Sequence, residues 1–206
     1  MKELQQALSE IQSIRTQVAR DTEFRGYGPA SIAVSGILAL LVAAVQAQWM
    51  AKHTKTDVAI WLVVWAGTAA VSVLLTGIET IARTRRVHVG IAKEMVQSAV
   101  EQFLPAGAAG VLLAAALWKF APETLWMLPG LWQLLVSLGV FASVRSLPRT
   151  VAFAGAWYFV AGFGCLLLAS QTHALSPWTM GLPFVIGQLL MAAILHFASG
   201  DHDAED

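Results

Sequence analysis

Two carboxylates bracket the apolar runs of this sequence and are its strongest candidates for chemistry. Glu79 closes the run that begins at Val58, and Glu101 opens the stretch "EQFLPAGAAGVLLAAALWKF". A carboxylate deep among apolar segments marks proton or cation traffic, whereas one at a rim anchors a helix or pairs with a basic neighbour. Length decides between the two. The 16 residues from Phe103 to Trp118 span about 24 Å as a helix, less than the ~30 Å of a bilayer core. Glu101 is therefore expected at or just inside the edge of that band, with Lys119 reaching the opposite edge. The 21 residues from Val58 to Ile78 span about 31 Å, which puts Glu79 on the same boundary. Arg83 follows Glu79 by one helical turn, in the favourable order for an ion pair, and Arg86 lies on the same face. Arg145 and Arg149 fall at a similar depth. Glu79, Arg83, Arg86, Glu101, Arg145 and Arg149 thus outline a charged rim that could face lipid head groups.

Two amides lie inside apolar runs. Gln133 in "LPGLWQLLVSLGVFAS" and Gln188 in "LPFVIGQLLMAAILHFAS" occupy similar wording, as though a helical hairpin were repeated. A buried amide must find a partner. It can be glue between helices, or with Glu101 it can line a polar pathway. Gly155, Gly162 and Gly164 would let neighbouring helices approach closely.

Other chemistry is missing its parts. Of His53, His88, His173, His196 and His202, the first three look like loop or helix-end residues rather than mid-helix haem ligands. Cys165 is the single cysteine, so it has no intrachain partner and reads as a small apolar residue. No phosphate-binding glycine loop, zinc-protease helix or nucleophile elbow occurs, and no cofactor is expected. Nucleic-acid binding has no basic domain to support it.

The elements that position these residues follow from composition. Of 206 residues, 57% are hydrophobic and 13% charged, the mean hydropathy is +0.64 and the formal charge is zero. A soluble domain averages roughly 25% charged residues, so the composition points to a membrane protein. Six segments are long and apolar enough to span, at about 29–48, 58–78, 101–119, 125–144, 150–170 and 178–198. The expected fold is all-α: six transmembrane helices (29–198) with a cytoplasmic helical link at 79–102. Pro129 and Pro183 lie inside their segments and predict bends or late starts.

Orientation follows from the basic residues. With the N-terminus inside, the cytoplasmic segments hold Lys2, Arg15, Arg20, Arg25, Arg83, Arg85, Arg86, Lys93, Arg145 and Arg149, while Lys52, Lys55 and Lys119 lie outside. The bias predicts both termini in the cytoplasm. Trp49, Trp61, Trp118, Trp126 and Trp178 then form an aromatic belt at the outer boundary. No cleavable signal peptide is read at the N-terminus, and a bacterial inner (cytoplasmic) membrane is the expected location.

Outside the spans, residues 1–28 carry an amphipathic stripe of Leu4, Leu8, Ile11, Ile14 and Val18, with Ala7 between. This helix needs a surface to bury its stripe: the protein's own cytoplasmic helices, a second copy, another protein or the membrane. A second stripe of Ala92, Met95, Val96, Ala99 and Phe103 continues the third span inward, with a bend at Pro105. Residues 199–206 form an acidic tail. The functional expectation is a non-enzymatic membrane module, sensing or regulatory or partner-anchoring, that acts through its cytoplasmic helices on a protein partner or homodimer. The competing expectation is a small permease or ion-coupled transporter with Gln133, Gln188 and Glu101 along a pathway.

Overall fold

The structure is a computed structural model that describes residues 29–52, 58–87, 89–144 and 147–200. For residues 80, 81, 83–87, 89–100, 102, 199 and 200 it describes the backbone alone. The stripe Leu4, Leu8, Ile11, Ile14 and Val18, residue Arg145 and the acidic tail at 201–206 lie outside the described residues.

The described residues form helices and no strands. In chain order these are α1 (Pro29–Lys52), α2 (Val58–Val87), α3 (Val89–Phe120), α4 (Leu128–Ser143), α5 (Ala152–Ala169) and α6 (Trp178–Gly200). Short 3-10 turns at Pro122–Met127 and Arg149–Val151 lead into α4 and α5. Six helical segments are long and apolar enough to cross a membrane. Proline sets several starts. Pro29 opens α1, where its missing N–H has no helical acceptor to lose. Pro129 falls in the first turn of α4, so the regular helix starts only at Leu128 after the 3-10 turn. Pro105 and Pro183 lie inside α3 and α6.

The ends of the bundle differ. One gathers Trp49, Trp118, Trp126 and Trp178, and the other gathers the starts of α1 and α5 with the α2–α3 junction and its arginines. They are termed here the tryptophan end and the arginine end. Consecutive helices pack on one another, and α6 closes the ring against α1. The α1–α6 and α4–α5 contacts are the most extensive, while α6 also touches α4 across the interior. Glycines explain these two close pairs. A methyl at Gly181 would meet Ala43 Cβ at 2.4 Å, and one at Gly162 would meet the Gly130 carbonyl at 2.9 Å. Gly155 seats the Phe141 ring, whereas Gly164 faces open space and has no packing role.

Two hydrophobic clusters fill the interior. The tryptophan-end cluster joins Ala39, Ala43, Trp61, Trp65, Leu125, Leu128 and Met180. The arginine-end cluster joins Ile32, Val140, Leu147, Val151, Ala154, Met191, Ala192 and Leu195. Trp61 belongs to the first, only 1% exposed. It is a core residue and not part of a boundary belt, because it stacks on Trp132 at 6.0 Å between ring centroids. The arginine-end cluster includes no residue of α2 among those described.

Candidate functional site

The buried polar groups fall into two sets. The first lies near the tryptophan end and is organised by Pro183. In an unbroken helix the Thr179 carbonyl would accept from the N–H four residues on, but residue 183 is proline and has none. The freed carbonyl instead accepts from Gln133 Nε2 at 2.6 Å and Cys165 Sγ at 3.3 Å. One missing backbone donor in α6 thus ties α4 and α5 to it. The Pro183 carbonyl itself accepts from Trp157 Nε1 at 3.0 Å. Ser137 Oγ donates to the Gly155 carbonyl at 2.8 Å and joins α4 to α5. Gln133 and Ser137 are both fully buried. Gln133 Oε1 and Trp61 Nε1 are buried without a hydrogen-bond partner among the described residues.

Nearby, Trp65 Nε1 donates to Gln46 Oε1 at 2.8 Å, joining α2 to α1. Trp132 Nε1 donates to the Gly110 carbonyl at 3.1 Å, joining α4 to α3. Trp61 lies 6.1 Å from Trp65, ring centre to ring centre. These three indoles and their neighbours close the tryptophan end of the interior.

The second set lies toward the arginine end. Trp61, Trp65, Thr68, Ser72, Thr76 and Glu79 recur three or four residues apart, so they share one face of α2. The two tryptophans turn that face into the bundle. Beyond Trp65, however, the face is only half-buried, and no residue from 66 to 79 is buried. Among its described residues α2 is buried only at Trp61 and Trp65. Each hydroxyl on this face donates to the carbonyl one turn back: Thr68 to Val64 at 2.8 Å, Ser72 to Thr68 at 2.8 Å and Thr76 to Ser72 at 3.0 Å. Ser35 of α1 likewise donates to the Ile32 carbonyl at 2.7 Å. These local bonds satisfy the hydroxyl protons within the helix that carries them.

Two bonds set the antiparallel register of α1 and α2. Gln46 pairs with Trp65, and the Ser31 N–H donates to Glu79 Oε2 at 3.0 Å. Between those points Ser35 falls opposite Leu75 and Thr76. Gln188 falls at the same level, because a methyl on Gly36 would meet its Cβ at 2.8 Å. Ser35 and Gly36 of α1, Thr76 of α2 and Gln188 of α6 therefore lie at a similar depth along the bundle. Glu79 sits one turn nearer the arginine end, with its carboxylate on an N–H of the first turn of α1. A helix start has unpaired amides and a partial positive charge, so an acidic cap is favourable there.

Sequence reasoning singled out Glu79, Glu101, Gln133, Gln188 and the arginines. The structure sets Glu79 on the first turn of α1 and separates the two glutamines. Gln133 bonds at the second residue of α6, whereas Gln188 is nine residues further along that helix, roughly 13 Å by helical rise. Glu101 is exposed on α3, and Arg149 is exposed in its 3-10 turn. Arg83 and Arg86 lie on the final turns of α2, where the backbone alone is described. Sequence reasoning missed the role of the Thr179 carbonyl, although "TMGLP" places a proline four residues after it. It also missed the hydroxyl face of α2, which the spacing of Thr68, Ser72 and Thr76 carried. Groups of three or more His, Cys, Asp or Glu suited to a metal ion do not occur among the described residues. No protein-family model, no curated protein and no solved structure matches the chain.

Proposed function

We propose that this chain is an integral membrane protein with six spans, both termini on the cytoplasmic side, and that it works as a non-enzymatic sensing or partner-anchoring module. The observation that carries the proposal is the length of α2 and α3. They contain 30 and 32 residues, but their apolar stretches end at Glu79 and begin at Phe103. The remainder, 80–87 and 89–102, continues as helix past the level where Glu79 caps α1. This paired extension carries Arg83, Arg85, Arg86, Lys93 and Glu94, a charged surface suited to a protein partner or to anionic head groups. The stripe at Leu4, Leu8, Ile11, Ile14 and Val18 would join it on the same side. The basic bias toward the arginine end supports the orientation.

Two measurements test this. Single cysteines at 2, 90 and 204, in a background lacking Cys165, are expected to label from the cytoplasmic side only; labelling of residue 204 from outside overturns the topology. Removal of residues 1–22 is expected to abolish recovery of partner proteins in a cross-linked pull-down while insertion persists. Unchanged recovery overturns the module reading.

A second reading, a small ion-coupled permease, is supported by the half-buried hydroxyl face of α2. It differs from the sequence-level version in its residues. Gln133 bonds to Thr179 inside the core, so a pathway would follow Ser72, Thr76 and Gln188 instead. It predicts flux in proteoliposomes that falls in Gln188→Leu at unchanged expression.

A further inference from the structure

We propose that the outer face of α2 at the arginine end seats an anionic phospholipid, with an acyl chain along Val71, Leu74 and Ile78 and the phosphate at Arg85. This names the partner of the charged extension described above, and it rests on the membrane reading. Three observations carry it. The first is register. Val71, Leu74 and Ile78 follow one another at three and four residues, so they lie on one face of α2. They are 45, 71→78 row ends included, open to the surroundings: Val71 is 45% exposed, Leu74 62% and Ile78 65%. Arg85 follows Ile78 by two helical turns and closes the same row. Arg83 and Arg86 fall instead on the face of Glu79. An apolar row that ends in a cation matches a lipid, whose tail ends in a charged head.

The second observation is depth. Glu79 accepts from the Ser31 N–H in the first turn of α1, and the apolar stretch of α2 ends at Glu79. On the membrane reading that level is the edge of the hydrocarbon. Head groups fill about 5–8 Å beyond it, the difference per side between a ~30 Å core and a whole bilayer of ~40–45 Å. By helical rise the backbone at Arg83, Arg85 and Arg86 stands about 6, 9 and 10.5 Å past Glu79. These positions lie in or just beyond the phosphate layer, within the reach of an arginine stem. Helix α2 runs on to Val87, so the spacing holds through that layer.

The third observation is charge. Arg83, Arg85, Arg86 and Lys93 occur with no acidic residue between Glu79 and Glu94. At the tryptophan end the described basic residues are Lys52 and Lys119, on different helices, and Lys119 lies over the Phe120 ring at 5.4 Å. Basic clusters just past a span attract anionic head groups, and a guanidinium pairs with phosphate through two parallel hydrogen bonds. Charge complementarity therefore selects an anionic lipid such as phosphatidylglycerol over zwitterionic phosphatidylcholine. It also disfavours a second copy on this face, because a two-fold axis through the row would set like arginines against one another.

The experiment uses the full chain purified in an uncharged detergent. Tm is followed as phosphatidylglycerol or phosphatidylcholine of the same acyl chains is added, and bound lipid is counted by native mass spectrometry. A saturable rise in Tm with phosphatidylglycerol is expected, with little change in phosphatidylcholine. Arg85→Gln is expected to keep its Tm without lipid and to move the phosphatidylglycerol midpoint about fivefold upward, the worth of one cation at an anionic surface. Lys119→Gln, at the tryptophan end, is expected to titrate as wild type. Should Arg85→Gln not fold, the wild type is titrated at low and high NaCl, and the midpoint is expected to rise with salt. Equal midpoints for the two lipids, an unshifted midpoint in Arg85→Gln or at high salt, or an equal response to soluble glycerol phosphate would each overturn the site. So would a dimer that disappears in Leu74→Arg, since a second copy would then cover the row. The labelling of residue 90 separates the two failures: residue 90 inside with no lipid preference sinks this site alone.

Discussion

At the scale of single residues, the chemistry of this chain turns on backbone groups that proline or a helix end leaves unpaired. Thr179 is the clearest case. Its carbonyl loses the amide at residue 183 and takes Gln133 and Cys165 in exchange. Replacing Gln133 with Leu removes the bond but also removes a buried oxygen that has no partner among the described residues. The net cost should therefore be modest, about 1 kcal/mol, within the range of such bonds between membrane helices. In a Pro183→Ala background the carbonyl regains a helical donor, and the cost of Gln133→Leu should fall toward zero. A double-mutant cycle by reversible unfolding in detergent measures this coupling; strictly additive effects would refute the account. Glu79 acts at the other end through the Ser31 amide. Glu79→Ala should destabilise by about 1 kcal/mol, the usual worth of a helix cap. Earlier amide exchange at the start of α1 would locate the loss.

Elements impose a different constraint, because helix pairs meet at distances that a single methyl can spoil. A Cβ on Gly162 would press on the Gly130 carbonyl of α4, which is backbone and cannot swing aside. Gly162→Ala should cost 1–3 kcal/mol, as overpacking does. Gly164→Ala, with nothing within 4 Å, should be neutral or slightly stabilising, since alanine is the better helix former. Thermal unfolding of the two variants side by side checks the contrast, and equal effects would mean that α4 and α5 do not approach as described. Sequence could name Gly155, Gly162 and Gly164 as small residues but could not sort them. A glycine's role depends on the neighbour facing it, and the neighbour comes from another helix.

The whole molecule is asymmetric from end to end. Four helices, α1, α4, α5 and α6, carry most of the burial, while α2 and α3 bury little. The exposed faces of α2 and α3 are apolar, with Val63, Val71, Val73, Leu74, Val111 and Leu112 outward. On the membrane reading those faces meet lipid, and α2 is held chiefly at Trp61, Trp65 and Glu79. Trp65→Phe loses the bond to Gln46 and is expected to loosen α2 more than any other helix. Amide exchange resolved by helix should show faster exchange confined to α2 and its neighbour α3. Uniform acceleration across all six helices would contradict this division.

Much of the architecture was legible in the chain itself. Apolar runs of spanning length, ended by charge and punctuated by proline, point to six helices, because in the membrane setting we propose backbone polar groups would have to bond within their own segment. The stripe of Ala92, Met95, Val96, Ala99 and Phe103 likewise pointed to helix ahead of the third apolar run, and α3 is helical from Val89. What only the tertiary structure decided is which polar groups meet. Gln133 and Gln188 look equivalent in sequence, yet one bonds to a carbonyl at the start of α6 and the other lies along α6 against Gly36 of α1. Periodicity assigns a residue to a face of its own helix, but the rotation and depth of each helix against the rest follow from packing across the bundle, and that information is spread over residues far apart in the chain.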